Sequence, residues 1–157
     1  MLYIKVAGVV LIMLAALFLS LERVVSMSDR LVFLRDSRAA MIFCREQMFF
    51  YREEIRSILS SSELKTKHSA CQRVFLDIYN DKKVNVGFLK NRDLEVITEF
   101  VCSLGMSDIE NQNERCELML KEISEQIKSA KEELNSKAKL YAACVMSAGL
   151  CISLIMQ

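Results

Sequence analysis

The 157-residue chain has no proline, no tryptophan, only four glycines and a single histidine. Without proline there is no built-in helix breaker, and with glycine and β-branched runs scarce the composition reads as helix from end to end. The four glycines are isolated, so no Gly-rich phosphate loop exists. Six cysteines (Cys44, Cys71, Cys102, Cys116, Cys144 and Cys151) contain no C-x-x-C pair, and His68 is the one imidazole, so a zinc site of ordinary ligand spacing is not expected. Charge of one sign is missing too: 21 basic side chains face 20 acidic ones, which excludes the basic excess of a nucleic-acid surface. Nothing offers an acid, base or nucleophile in a tuned setting. His68 stands in a polar run with Lys65 and Lys67 and reads as a solvated surface histidine, while the adjacent pairs Glu53–Glu54 and Glu132–Glu133 point in different directions on a helix. The expectation is a chain without catalytic residues, cofactor or metal.

What the chain does have is two apolar ends. Val6 to Leu21 and Leu140 to Gln157 carry no charge, and every Asp, Glu, Arg and His, with every Lys but Lys5, lies between them. A helix rising about 1.5 Å per residue crosses roughly 30 Å of hydrocarbon in about 20 residues. Residues 1–21 meet this, with Lys5 close enough to the end to snorkel. Residues 140–157 are shorter but extend an amphipathic helix whose Ala138 and Lys139 can sit in the interface. A cleaved secretory signal is the alternative for the N-terminus, disfavoured because Leu19, Leu21 and Glu22 close the run without a small-x-small cleavage site. Arg23, Arg30, Arg35 and Arg38 follow the first run, and Lys121, Lys128, Lys131, Lys137 and Lys139 precede the second. The positive-inside bias therefore places the middle, residues 22–139, in the cytoplasm.

That middle region is long enough for one modest core. Leu31, Leu34, Met41, Met48, Ile55 and Leu59 form one helical stripe, with Ser28 or Asp29 as its cap and Ser60 to Ser62 as its end. Leu64, Cys71, Val74, Phe75 and Ile78 form a second stripe, and Asn80 to Lys90 reads as a loop. Leu94, Ile97, Val101 and Leu104 space a helix that stops at Gly105, after which Ser107 and Glu110 make a capping box. Ile109, Cys116, Leu120, Ile123, Ile127, Ala130, Leu134 and Tyr141 mark a final helix that can run on into the second apolar end. This stripe suits an intramolecular core, or alternatively a coiled-coil seam to another subunit. Cys44, Cys102 and Cys116 occupy apolar positions, as reduced thiols in a cytoplasmic domain would. The predicted fold is all-α: an antiparallel bundle of about five or six helices flanked by N- and C-terminal transmembrane helices. In the second span, Ala143 with Ser147 and Cys144 with Ala148 are small-xxx-small pairs, a weak signal for a partner helix in the membrane.

The stretch Asp93 to Asp108, ending its helix in Leu104-Gly105 and followed by Asp108 and Gln112, resembles the stage III sporulation protein AB family of spore-forming Firmicutes. Arg35 and Arg38 with Ala39, Ala40 and Met41 resemble the family's Arg-x-x-Arg-Ala-Ala-Leu stretch, and length and double tether match as well. Gln47 to Ile55 departs from the pattern, lacking the family's Tyr-Gly and Thr-Pro-Leu, which leaves a helix break near residue 50 open. The resemblance implies a domain similar to the cytoplasmic domains of type II secretion inner-membrane platform proteins. It further implies a non-catalytic part of the mother-cell membrane machinery facing the forespore, acting with a cytoplasmic ATPase and with ring or channel subunits. Arg35, Arg38, Leu104, Gly105, Asp108 and Gln112 become the candidate partner-interface or family-motif residues, for docking or for fastening the bundle. The rival expectation is a membrane-tethered sensory or redox-regulatory helical protein, kept open by the cysteines.

Overall fold

The computed structural model describes residues 2–51, 54–104 and 109–155. Side chains of most residues before Leu21 and after Tyr141, and those of Ile109, Glu110 and Ala138, lie outside the description. Every regular element among the described residues is a helix, with no strand. Helix α1 spans Leu2–Glu46, α2 Ile55–Leu59, α3 Ser62–Lys67, α4 Ser69–Tyr79, α5 Asn91–Ser103 and α6 Ile109–Ile155, with a π-helical turn at Gln47–Tyr51 closing α1.

Helix α1 runs through Ser28 and Asp29 without a break, so the expected cap there does not form. Interior Ser and Asp cost only about 0.5 kcal/mol each, less than the helix gains by burying Leu31, Phe33 and Leu34 in the next turn. The open question near residue 50 is answered by the π turn, which ends α1 and leaves Phe50 and Tyr51 80% and 69% exposed. The second predicted stripe is two helices rather than one. Ser61 caps α3 by accepting the Leu64 N–H at 3.2 Å, and His68, at φ −137°, interrupts the chain before α4 begins. Gln72 closes this corner from inside, donating Nε2–H to the carbonyls of Leu59 (2.8 Å) and Ser61 (3.3 Å). The Leu59 carbonyl falls at the C-terminal end of α2, where no ladder partner exists, while the Ser61 carbonyl also accepts the Lys65 N–H at 3.1 Å as the first rung of α3.

The register of the two long helices can be read from their polar contacts: Arg30 meets Glu133, Arg38 meets Ser124, and Arg45 meets Asn113 and Glu117. Helices α1 and α6 are therefore antiparallel over this whole stretch. Helix α5 starts at the Arg30 end of α1, where Asp93 meets Arg30, and ends beside Met119, reached by the Ser103 hydroxyl at 3.8 Å. Helix α4 packs on α1 through Cys71 and Phe33, and on α5 through Phe75 and Phe100, whose ring centroids lie 6.1 Å apart. Leu34, Met41, Cys44, Phe75, Ile97, Phe100 and Ile123, all fully buried, form the core between these four helices, and Leu59 of α2 and Leu64 of α3 complete it. In α5 the burden falls on Val96, Ile97, Phe100 and Val101, while Leu94 is only half-buried. A helix covered by α4 and α6 needs a broader apolar face than a single stripe. Cys102, expected as a small hydrophobe, is exposed for the same reason: it falls on the uncovered side of α5.

Among the described residues, no helix is long and apolar enough to cross a membrane. The two expected spans, 1–21 and 140–157, fall chiefly on residues whose side chains lie outside the described ones. The boundaries 22–139 correspond to no break, because α1 and α6 are continuous across them.

Candidate functional site

The six sequence-predicted residues do not form one cluster. Arg35 and Arg38 lie one turn apart on the exposed side of α1. Arg38 donates from Nε to the Ser124 hydroxyl (2.9 Å), and Ser124 donates on to the Leu120 carbonyl (2.6 Å), so Arg38 fastens α1 to α6. Arg35 makes no side-chain hydrogen bond among the described residues. Leu104 and Gln112 sit at the opposite end of α5 and α6. Leu104 is buried where α5 stops, and Gln112 is 5% exposed, with no partner for its Nε2 among the described residues. Gly105, Asp108 and the predicted Ser107–Glu110 capping box lie outside the described residues.

Sequence reasoning missed a buried, multiply bonded charge cluster among the described residues. Arg30, 4% exposed, meets the fully buried carboxylate of Asp93 through two parallel bonds, Nε to Oδ2 at 2.7 Å and a terminal N–H to Oδ1 at 2.9 Å. Asp93 also accepts the Lys90 backbone N–H at 3.0 Å, so it caps α5 while pairing across to α1. The remaining Arg30 nitrogen reaches Glu133 on α6 at 3.3 Å, and Glu133 is gripped further by Lys90 (2.7 Å) and Lys137 (2.8 Å). One ladder of opposite charges thus ties α1, α5 and α6 at a single level. The bond to Asp93 holds the Arg30 guanidinium above its ordinary pKa against the cost of burial. Hydrogen bonds from Lys137 and then Lys90 hold Glu133 down at about 2. A charged residue one turn before Phe33 and Leu34, on the buried face of a helix, was the signal in the sequence.

A second polar cluster joins α1 to the start of α4. His68, whose side chain is 18% exposed rather than solvated, meets Asp36 through Nδ1. The Cys71 thiol donates to the other Asp36 oxygen at 3.1 Å and lies 3.3 Å from the Ser37 hydroxyl. Thiol, imidazole and carboxylate are the ingredients of nucleophilic catalysis, but here the thiol bonds the acid rather than the base. Burial pushes the Cys71 pKa up, and Asp36 pushes it further, so the sulfur stays protonated and weakly nucleophilic. Cys44 is pushed up to about 12, and Cys116 is also raised, by burial first in each case. Among the described residues no three His, Cys, Asp or Glu side chains are arranged to hold a metal ion.

A groove of about 310 Å³ lies between α1 and α6, lined by Ile42, Arg45, Glu46, Phe49, Phe50 and Asn113. Arg45, one of the lining residues, donates to Asn113 at 3.0 Å and Glu117 at 3.1 Å.

In comparisons with known proteins, residues 80–157 match the family model described as stage III sporulation protein AB. This segment takes in the loop before α5, all of α5 and all of α6. No curated protein and no solved structure matches the chain.

Proposed function

Through residues 80–157 the chain belongs to the stage III sporulation protein AB family, and from that premise we propose that it is a non-catalytic, membrane-anchored scaffold of a secretion-like channel between mother cell and forespore. Two apolar ends, residues 1–21 and 140–157, hold it in the mother-cell membrane, and the bundle between them faces the cytoplasm. There it docks the ATPase of the same machine, while the spans meet ring or channel subunits. The observation that carries this reading is mechanical. The two helices that extend into the uncharged ends, α1 and α6, are the ones bolted to each other through Arg30, Glu133, Arg38, Ser124 and Arg45. Force or position imposed on either end passes into a stiff antiparallel pair, as a platform requires. The apolar composition of both ends, in which Lys5 is the one charged side chain, and the basic residues beside them support the membrane topology. Exposed Arg35, Phe50 and Tyr51 offer the docking contacts, with an apolar body and a charge of the kind enriched at interfaces.

The test pairs fractionation with labelling. Full-length chain is expected to sediment with membranes and resist carbonate extraction, and a cysteine introduced at Asn85 in a Cys102→Ser, Cys144→Ser background is expected to react with an impermeant maleimide only after the cells are opened. Arg35→Glu with Phe50→Ala should abolish co-purification of the ATPase while leaving thermal melting unchanged. Freely soluble protein would sink the anchoring, and intact co-purification would sink the docking.

A further inference from the structure

The buried sulfur at the Arg45 end of the bundle is unexplained by the scaffold reading. Arg45 bonds both Asn113 and Glu117, and this register puts Cys44 of α1 level with Cys116 of α6. Both thiols are fully buried, and Cys116 adds to burial in pushing the Cys44 pKa up to about 12, so the two sense each other. Helices packed about 8–10 Å apart leave opposed cysteines room for one ion between their sulfurs. Met119, buried one turn along α6 from Cys116, supplies a third sulfur, which accepts from the Ser103 hydroxyl at 3.8 Å. Long side chains on a helix lean toward its N-terminus, which turns Met119 toward Cys116. Two further groups suit a charge here. Arg45 acts on Cys116 in the sense that favours the thiolate, against the larger upward push of burial. Gln112, one turn before Cys116 on the same helix face, is 5% exposed, and its Nε2 has no partner among the described residues. A buried N–H without an acceptor is costly, and a thiolate is a far stronger acceptor than a thiol. Arg45 and Asn113 also line the groove of about 310 Å³, which gives an ion a way in from solvent.

We propose that Cys44 and Cys116, with Met119 as a third donor, form a binding site for a soft monovalent metal ion of the Cu(I) class. Thiolate and thioether sulfur select such an ion over harder divalent ones. Two thiols without a histidine fall short of the four ligands that a structural zinc site takes. Binding one ion releases both thiol protons to solvent, so the occupied site carries one net negative charge, which Arg45 balances and the Gln112 amide solvates. The ion then cross-links α1 and α6 at the end far from the Arg30 ladder. This site rests on the bundle alone and not on the two-span reading.

The test uses the full-length chain in detergent with Cys102→Ser, Cys144→Ser and Cys151→Ser, reduced and under nitrogen. Cu(I) is added as its acetonitrile complex against bathocuproine disulfonate as the competing chelator. One equivalent is expected to bind, with an ultraviolet thiolate-to-copper charge-transfer band, release of two protons per ion and a rise in melting temperature. Zn(II) is expected to give no such rise. X-ray absorption of this protein, which needs no change at the site, should show copper surrounded by sulfur. Cys44→Ala with Cys116→Ala should lose the band while circular dichroism shows it folded. Gln112→Leu should weaken copper binding about 10–100-fold without lowering the metal-free melting temperature. Failure of the parent protein to take up copper, copper bound through nitrogen or oxygen alone, uptake that survives removal of both cysteines, or equal stabilisation by Zn(II) overturns the proposal.

Discussion

Replacing Asp93 by Asn tests the ladder at its most buried point. The substitution keeps size and a carbonyl oxygen for the Lys90 N–H, but removes the charge that accepts two bonds from Arg30. Arg30 is then a 4%-exposed guanidinium with only Glu133, 3.3 Å away and 25% exposed, to balance it. Breaking one side of a buried pair costs about 3–5 kcal/mol, because the surviving ion cannot regain its water. Set against a typical total of about 5–15 kcal/mol, that loss should leave the bundle marginal. Arg30→Met should cost a similar amount from the other side. Joined as Arg30→Met, Asp93→Leu, the two should cost far less than their sum, since a matched apolar pair orphans no charge, giving a coupling above about 2 kcal/mol. Urea denaturation of the full chain in detergent micelles, followed by far-UV circular dichroism, measures all three. Additive losses, or an Asp93→Asn cost below about 1 kcal/mol, would falsify the claim that the pair is a buried fastening.

Acid should loosen the bundle through Glu133: its folded pKa of about 2 lies below the ordinary value near 4.3, so the carboxylate stabilises fully above about pH 5 and the contribution is lost as pH falls through 2. Because the side chain is 25% exposed, screening reduces the effect to about 1 kcal/mol, and Glu133→Gln should flatten the stability profile between pH 5 and 2. Asp81→Gly should raise stability by about 0.5–1 kcal/mol in the same denaturation assay, since a residue with a Cβ pays a steric penalty at φ 55° that glycine does not. Under native conditions Cys102 should react with a thiol reagent at the rate of an exposed thiol, while Cys44, Cys71 and Cys116, fully buried and with raised pKa values, should react at least a hundredfold more slowly until urea unfolds the chain. Rapid modification of Cys71 would instead favour the redox-regulatory rival.

The all-α class, the loop at 80–90 and the last helix were legible because each rests on a local rule. Period 3.6 burial, absent proline and turn-forming residues act within a few positions of one another. Leu31, Leu34, Met41, Cys116, Leu120 and Ile123 fell on the buried face as their spacing required. His68 was misread because its neighbours in sequence, Lys65 and Lys67, are solvated while its neighbour in space is Asp36 of another helix. Arg38 bonds Ser124 of α6, a partner that no local rule names, and Arg30, Asp93 and Glu133 likewise carried no local mark of belonging together.

Sequence alone determined where charge stops and where helix is the only economical backbone, since composition and periodicity are properties of the chain before it folds. Only the tertiary structure decided which charges meet. Arg30 and Asp93 are 63 positions apart and Arg30 and Glu133 are 103 apart, and such pairs exist because the antiparallel register of α1 and α6 brings them to one level with no water between. Register is a compromise among all the buried side chains at once, and no single window of sequence contains it.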